Sequence, residues 1–126
     1  MSQSMGLAKN FTAEGAIPRY RIFKFGSADG SVVLATAATD ALIGVTGILG
    51  ADAVGDRVDG YLNGLQKVEY GGTITRGALL TSDAQGRAVA AAPAAGANNR
   101  IIGTAFVSGV LGDIGFVDVA KGSVQG

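Results

Sequence analysis

Apolar and polar residues alternate in short runs along this chain, and glycine or aspartate cuts each run after a few positions. Gln66–Tyr70 alternates cleanly, with Lys67 and Glu69 on one side and Val68 and Tyr70 on the other. Ile114–Val119 does the same, with Gly115, Val117 and Val119 sharing a face. A period of two over so few residues predicts half-buried strands, and no long window repeats at the spacing of an amphipathic helix. Ile17–Phe25 reads as the clearest strand, but its phase slips: Phe23 and Phe25 occupy the parity of Arg19 and Arg21. A bulge near Ile22–Phe23 would restore the alternation. Alternatively both faces are covered, as at a subunit interface, which makes Tyr20, Phe23 and Phe25 candidates for contact with a second copy.

Turn signals place the remaining elements. Asp29-Gly30 leads into a strand over Val32–Ala35, and Ala41–Gly47 follows as another. Asn63-Gly64 predicts a hairpin, because a tight two-residue turn favours residues that tolerate positive φ. Beyond Gly71-Gly72, Thr73–Arg76 reads as a strand, and Gly77 as a bend into a single helical turn at Leu79 and Leu80. Asp83 and Gly86 close the next turn before Arg87–Ala90. Ala91–Asn99 reads as an exposed loop, Ile101–Val107 as a strand, Gly112-Asp113 as a tight turn and Lys121–Gly126 as a tail. The pattern predicts an all-β domain, a small sandwich or barrel-like fold with at most one or two short helical turns. It divides the chain into an extended N-terminal arm, residues 1–15, and a single β-rich domain, residues 16–126. Met5, Leu7 and Phe11 are the large apolar residues of the arm, spaced as anchors for a strap lying in a groove. The alternative for this segment is a first strand folded onto its own domain.

Composition adjusts this picture in two ways. The chain has 126 residues, enough for one domain, and 48% of them are apolar. Much of that fraction is alanine; with five Phe, three Tyr and no Trp the core is modest. A small domain with a modest core gains from association. Ten basic residues balance ten acidic ones, and the Arg19, Arg21, Lys24 cluster reads as a solvated strand face, so nucleic acid is not an expected partner. Met1–Asn10 lacks the apolar segment of a signal peptide, and no apolar run is long enough for a membrane-spanning helix.

Catalytic chemistry finds little to use. Histidine and cysteine are both absent, which removes the usual general base, the usual zinc ligands and the His-dependent triads. Asp52, Asp56 and Asp59 lie close in sequence, but Gly55 and Gly60 break any helix that would align them, and aspartate beside glycine is commonly turn chemistry. Gly44, Gly47 and Gly50 lack the spacing of a phosphate-binding loop. We therefore expect no enzyme activity, no cofactor, no metal and no small-molecule substrate.

Two stretches carry a resemblance. Gly72–Val89, with Ile74, Gly77, Leu80, Asp83 and Gly86, is followed by Arg100–Val119, with Ile101, Gly103, Ala105, Gly109, Gly112, Asp113 and Ile114. The pair resembles the small capsid decoration, or cement, proteins of tailed phages. That resemblance implies a tulip-like β-fold and homotrimers at three-fold or quasi-three-fold positions. It also implies binding to assembled major capsid protein on the outer surface of the virion, with an N-terminal arm reaching the shell. Deleting residues 1–15 is then expected to leave the domain folded and to abolish capsid binding. Other β-rich modules of the virion, such as a head fibre or tail component, are the main alternative. A β-clip ligand-binding domain and an oligonucleotide-binding barrel are more distant ones.

Overall fold

The computed structural model describes residues 6–126, and every regular element there is a strand, as expected. In chain order these are β1 (Ala8–Ala13), β2 (Ile22–Phe25), β3 (Ser31–Leu34), β4 (Leu42–Thr46) and β5 (Arg57–Tyr61). They continue with β6 (Gly64–Glu69), β7 (Leu79–Ser82), β8 (Ala88–Ala90), β9 (Asn98–Ala105) and β10 (Ile114–Gln125). The first five close into a barrel of order β1-β3-β2-β4-β5, and the last five form a sheet of order β6-β10-β9-β7-β8.

The barrel closes through β1, which pairs parallel to β3 and antiparallel to β5 from Ala8↔Tyr61 to Thr12↔Arg57. Alternation along β1 turns Phe11 and Ala13 inward, where they meet Ile17, Phe23, Val32, Ala51 and Val58. The Phe11 and Phe23 rings pack with centroids 5.5 Å apart. Gly60 makes room for them, since a Cβ there would stand 2.5 Å from Phe23 and 2.8 Å from Phe11. The expected arm is therefore corrected. Residues 8–13 are a barrel strand, and Phe11, 6% exposed, is unavailable to a capsid. Met5 lies outside the described residues.

A second core lies between the outside of the barrel and the inner face of the sheet. Ile22, Leu42 and Val45 meet Val68, Tyr70, Leu80, Ile102, Val117 and Val119 there. Strand β2 serves both cores, with Ile22 facing the sheet and Phe23 facing the barrel interior. That is why the alternation slips: at Ile22 and Phe23 both faces of β2 are covered, by the chain's own cores, while Phe25 at its end is exposed. The irregularity in the β2–β4 register falls between Phe23 and Lys24, one residue beyond the predicted bulge. Phe23 is fully buried, so it is no interface residue.

Other expectations are also revised. Ile17 forms only an isolated bridge to Ala51, and the chain then turns at Tyr20, which adopts φ +57°. Such a value is uncommon for a bulky residue. Here it turns the backbone so that the Tyr20 carbonyl accepts from Glu69 N–H, 2.9 Å, tying barrel to sheet. Asn63-Gly64 is a crossover between barrel and sheet, because β5 pairs with β1 and β4 while β6 pairs with β10. Only Gly64 of that pair has positive φ. Leu79 and Leu80 begin a strand, and of the predicted Thr73–Arg76 strand only Ile74 pairs, with Gly109.

The expected tail is the second half of β10. Val119 pairs with Gly103 and Gly122 with Ile101, so Ala120 and Lys121 bulge opposite Ile102. The bulge carries Lys121 to the barrel, where its ammonium donates to the carbonyls of Ile43 (2.9 Å) and Leu62 (2.8 Å). Burial there pushes the Lys121 pKa down.

Candidate functional site: two apolar surfaces

The aspartates singled out for catalysis do turn work or face solvent. The Asp56 carboxylate accepts from the N–H groups of Asp52 and Ala53, both 3.1 Å, and Asp59 lies on the outer face of β5. Among the described residues no three His, Cys, Asp or Glu side chains converge as metal ligands. What stands out is large apolar side chains left in solvent, gathered on two parts of the molecule.

The first surface is the outer face of the sheet. Register sets it: Phe116 pairs with Lys67, Ile114 with Glu69, and Asp118 lies between Leu65 and Thr104. Phe106 N–H donates to Phe116 O (2.9 Å), which puts the two aromatic residues side by side, and Leu79 lies beyond Thr104. Because Gly115, Val117 and Val119 point inward, Ile114 and Phe116 must point out. Phe106 is 52% exposed and Phe116 41%. The adjoining loop from Phe106 to Asp113 adds Val107, Val110 and Leu111, also exposed.

Tyr70 holds that loop. Its hydroxyl donates to Val107 O (2.6 Å) and its backbone N–H to Asp113 O (2.7 Å). A side chain at Gly109 or Gly115 would overlap its ring, so both positions need glycine. Burial, and then the Asp113 carboxylate, raise the Tyr70 pKa, keeping the phenol a donor. The Asp113 carboxylate accepts from Val110 N–H (2.9 Å), and Gly112 turns at φ +90°. The Gly112-Asp113 turn thus stands where the sequence put it.

The second surface is the loop between β4 and β5. Ile48, Leu49 and Val54 project into solvent, and Leu49 is 86% exposed. The loop is tied on both sides. Ile17 and Ala51 exchange backbone hydrogen bonds of 2.9 and 2.8 Å, and Gly55 N–H donates to Ala13 O, 2.8 Å. A cleft of about 290 Å³ runs beside it, lined by Ile48, Leu49, Arg57, Asp59 and Tyr61.

The remaining sequence candidates are scattered. Leu7 (59%) and Phe25 (60%) are exposed and stay open as contact residues, whereas Tyr20 is half-buried with Arg19 stacked over its ring. Gly77 turns at φ +93° and Gly86 at φ +71°. Asp83 closes its turn by accepting from Gln85 N–H and Arg87 N–H, both 2.8 Å, and from the Arg87 guanidinium, 2.9 Å. Asn63 accepts Leu7 N–H at 2.7 Å.

Sequence reasoning missed Leu49, Phe106 and Phe116. Two signals were present: Ile114–Val117 is apolar or glycine on both parities, and Ile48-Leu49 sits between glycines where turns are usually polar.

No family model matches the sequence, and no curated protein is similar to it at a significant level. Among solved structures, the crystal structure of the head fiber gp8.5 N base in bacteriophage phi29 is similar, with a TM-score of 0.70 and 20% identity. The superposition covers 97% of this chain and 100% of that one. The two chains share a fold.

Proposed function

We propose that this chain is a non-enzymatic structural protein of a phage virion. In this reading it binds the outer surface of the assembled capsid as a homotrimer and stabilises the shell by bridging neighbouring major capsid proteins. The observation that carries the reading is the shared fold with the base of a phage head fibre along almost the whole chain. The two exposed apolar surfaces support it, since the largest apolar patches on a protein surface are often its association sites. A protein that binds the assembled lattice and not its dissociated subunits stabilises the lattice by mass action. A trimer multiplies weak contacts through high effective concentration.

The test is to mix purified protein with undecorated mature heads, image them and heat them. Saturable, symmetry-ordered density together with greater shell stability is the expected result. Unchanged heads would reject the reading. The same likeness favours a second reading, a head-fibre base. Copy number separates the two, because a cement protein is expected to approach the number of shell subunits.

A further inference from the structure

The two apolar surfaces differ in shape, charge and place in the fold. The β4–β5 loop is a tethered projection. The outer sheet face, by contrast, is broad, with its own loop fixed beneath by Tyr70.

We propose that the Ile48–Leu49 loop of one copy seats on the outer face of the β6–β10–β9 sheet of the next copy. This rests on the trimer reading above and names the surfaces that make it. Area gives the first reason. Eight large apolar side chains of the sheet face and its loop stand about two-fifths or more exposed. With roughly half of a large side chain's area in solvent each, they offer on the order of 500 Å². That matches the apolar share of the roughly 800 Å² that each partner buries in a standard interface.

Charge gives the second. Residues 47–56 contain Asp52 and Asp56 and no Lys or Arg. Lys67 lies on the sheet face beside Phe116, and Arg76 flanks the 106–113 loop, its N–H bonded to Ser108 Oγ at 2.9 Å. Of the acids nearby, Glu69 is paired with Arg21 (3.3 Å), Asp113 is turned into its own loop, and Asp118 is half-buried. Arg57 and Asp59 line the cleft beside the loop as opposite charges. Loop against face brings acid to base, whereas loop against loop would set Asp52 against its own copy, Asp56 being turned into its own loop as Asp113 is.

Symmetry gives the third. A contact between two different patches is head-to-tail, and a head-to-tail contact that closes makes a ring, as a trimer requires. Because the loop is already tied at both ends, little ordering opposes the contact.

Sedimentation of the intact protein tests this, with thermal unfolding run on each variant to establish folding. The wild type is expected to be trimeric. Leu49→Asp alone and Phe116→Lys alone should each weaken association at least about tenfold while keeping a cooperative melt. The two together in one chain should recover part of the loss, because the introduced charges would face each other across the contact. Leu79→Lys, on the same face, serves if Phe116→Lys does not fold. Trimers that survive both single substitutions would overturn the contact and leave the trimer standing. A Leu49→Asp protein that stays trimeric while Phe116→Lys dissociates would show the face meeting something other than the loop. A double variant no better than the singles would overturn direct contact. A wild type that is monomeric at about 100 µM would remove the trimer reading and this contact together.

Discussion

Tyr70 joins the buried core to an exposed surface within one side chain. Its ring fills the space left by Gly109 and Gly115, and its hydroxyl fixes Val107. Tyr70→Phe keeps the ring and leaves the Val107 carbonyl without that donor. We expect a loss of about 0.5–1.5 kcal/mol in urea unfolding, with faster amide exchange confined to residues 106–113. Glu14 acts through charge. Hydroxyl donation from Ser31, then hydroxyl and N–H donation from Ser27, hold its carboxyl below the ordinary value of 4.5. Asp40 is lowered as well: burial acts to raise it, and is outweighed by donation from Thr36 N–H (2.9 Å) and by Lys24 at 3.0 Å. For both, the unfolded chain takes up its proton at a higher pH than the folded chain. Their stabilisation is therefore complete above the ordinary carboxylate range and is lost as pH falls through the folded values. Melting temperature should fall on acidification below about pH 4.5, and Glu14→Gln should flatten part of that decline. An acid limb of unchanged slope in the variant would count against the Glu14 network.

At the scale of elements, legibility followed locality. The β6 alternation and the turns at Asp29-Gly30, Asp83–Gly86 and Gly112-Asp113 were readable because each is decided by a few neighbouring residues. What escaped depends on distant partners. Strand β1 shows solvent Ala8, Asn10 and Thr12, so only its closure against β5 reveals that Phe11 is interior. Asn63-Gly64 carries a hairpin signal, yet β6 finds its neighbour in β10, some fifty residues later in the chain. The C-terminal half of β10 looked like a tail because its side chains are mostly exposed, while its backbone pairs with Asn98–Ile101. Of the candidate contact residues Leu7 and Phe25 are exposed, but neither apolar surface was legible, since exposure on a sheet is set by register rather than by residue type. Lys121 shows how such distant pairing is secured, for from the bulge it donates to two barrel carbonyls. Lys121→Met keeps the aliphatic stem and removes both bonds. It should lower stability by about 1–3 kcal/mol in denaturant titration, with the ends of β4 and β5 losing amide protection first.

For the whole molecule, the closed barrel decides what can be removed. The first barrel strand begins at Ala8, and Leu7 is tied by donating to Asn63 and accepting from Leu62 N–H (2.7 Å). Deleting residues 1–6 should leave the thermal melt within a few degrees of wild type. Deleting residues 1–13 takes out β1, opens the barrel between β3 and β5, and strips Phe23 of its aromatic partner. Loss of a strand with a buried Phe exceeds what a small domain holds in reserve, so that truncation should yield no cooperative melt. Any loss of head binding after the longer deletion would therefore report unfolding, not a missing strap. The shorter deletion is the informative one. If it melts normally yet no longer binds undecorated heads, the segment ahead of Leu7 makes the capsid contact; if it binds as before, the contact lies on the folded domain, where Leu7 and Phe25 are the exposed apolar residues outside the proposed subunit contact to substitute next.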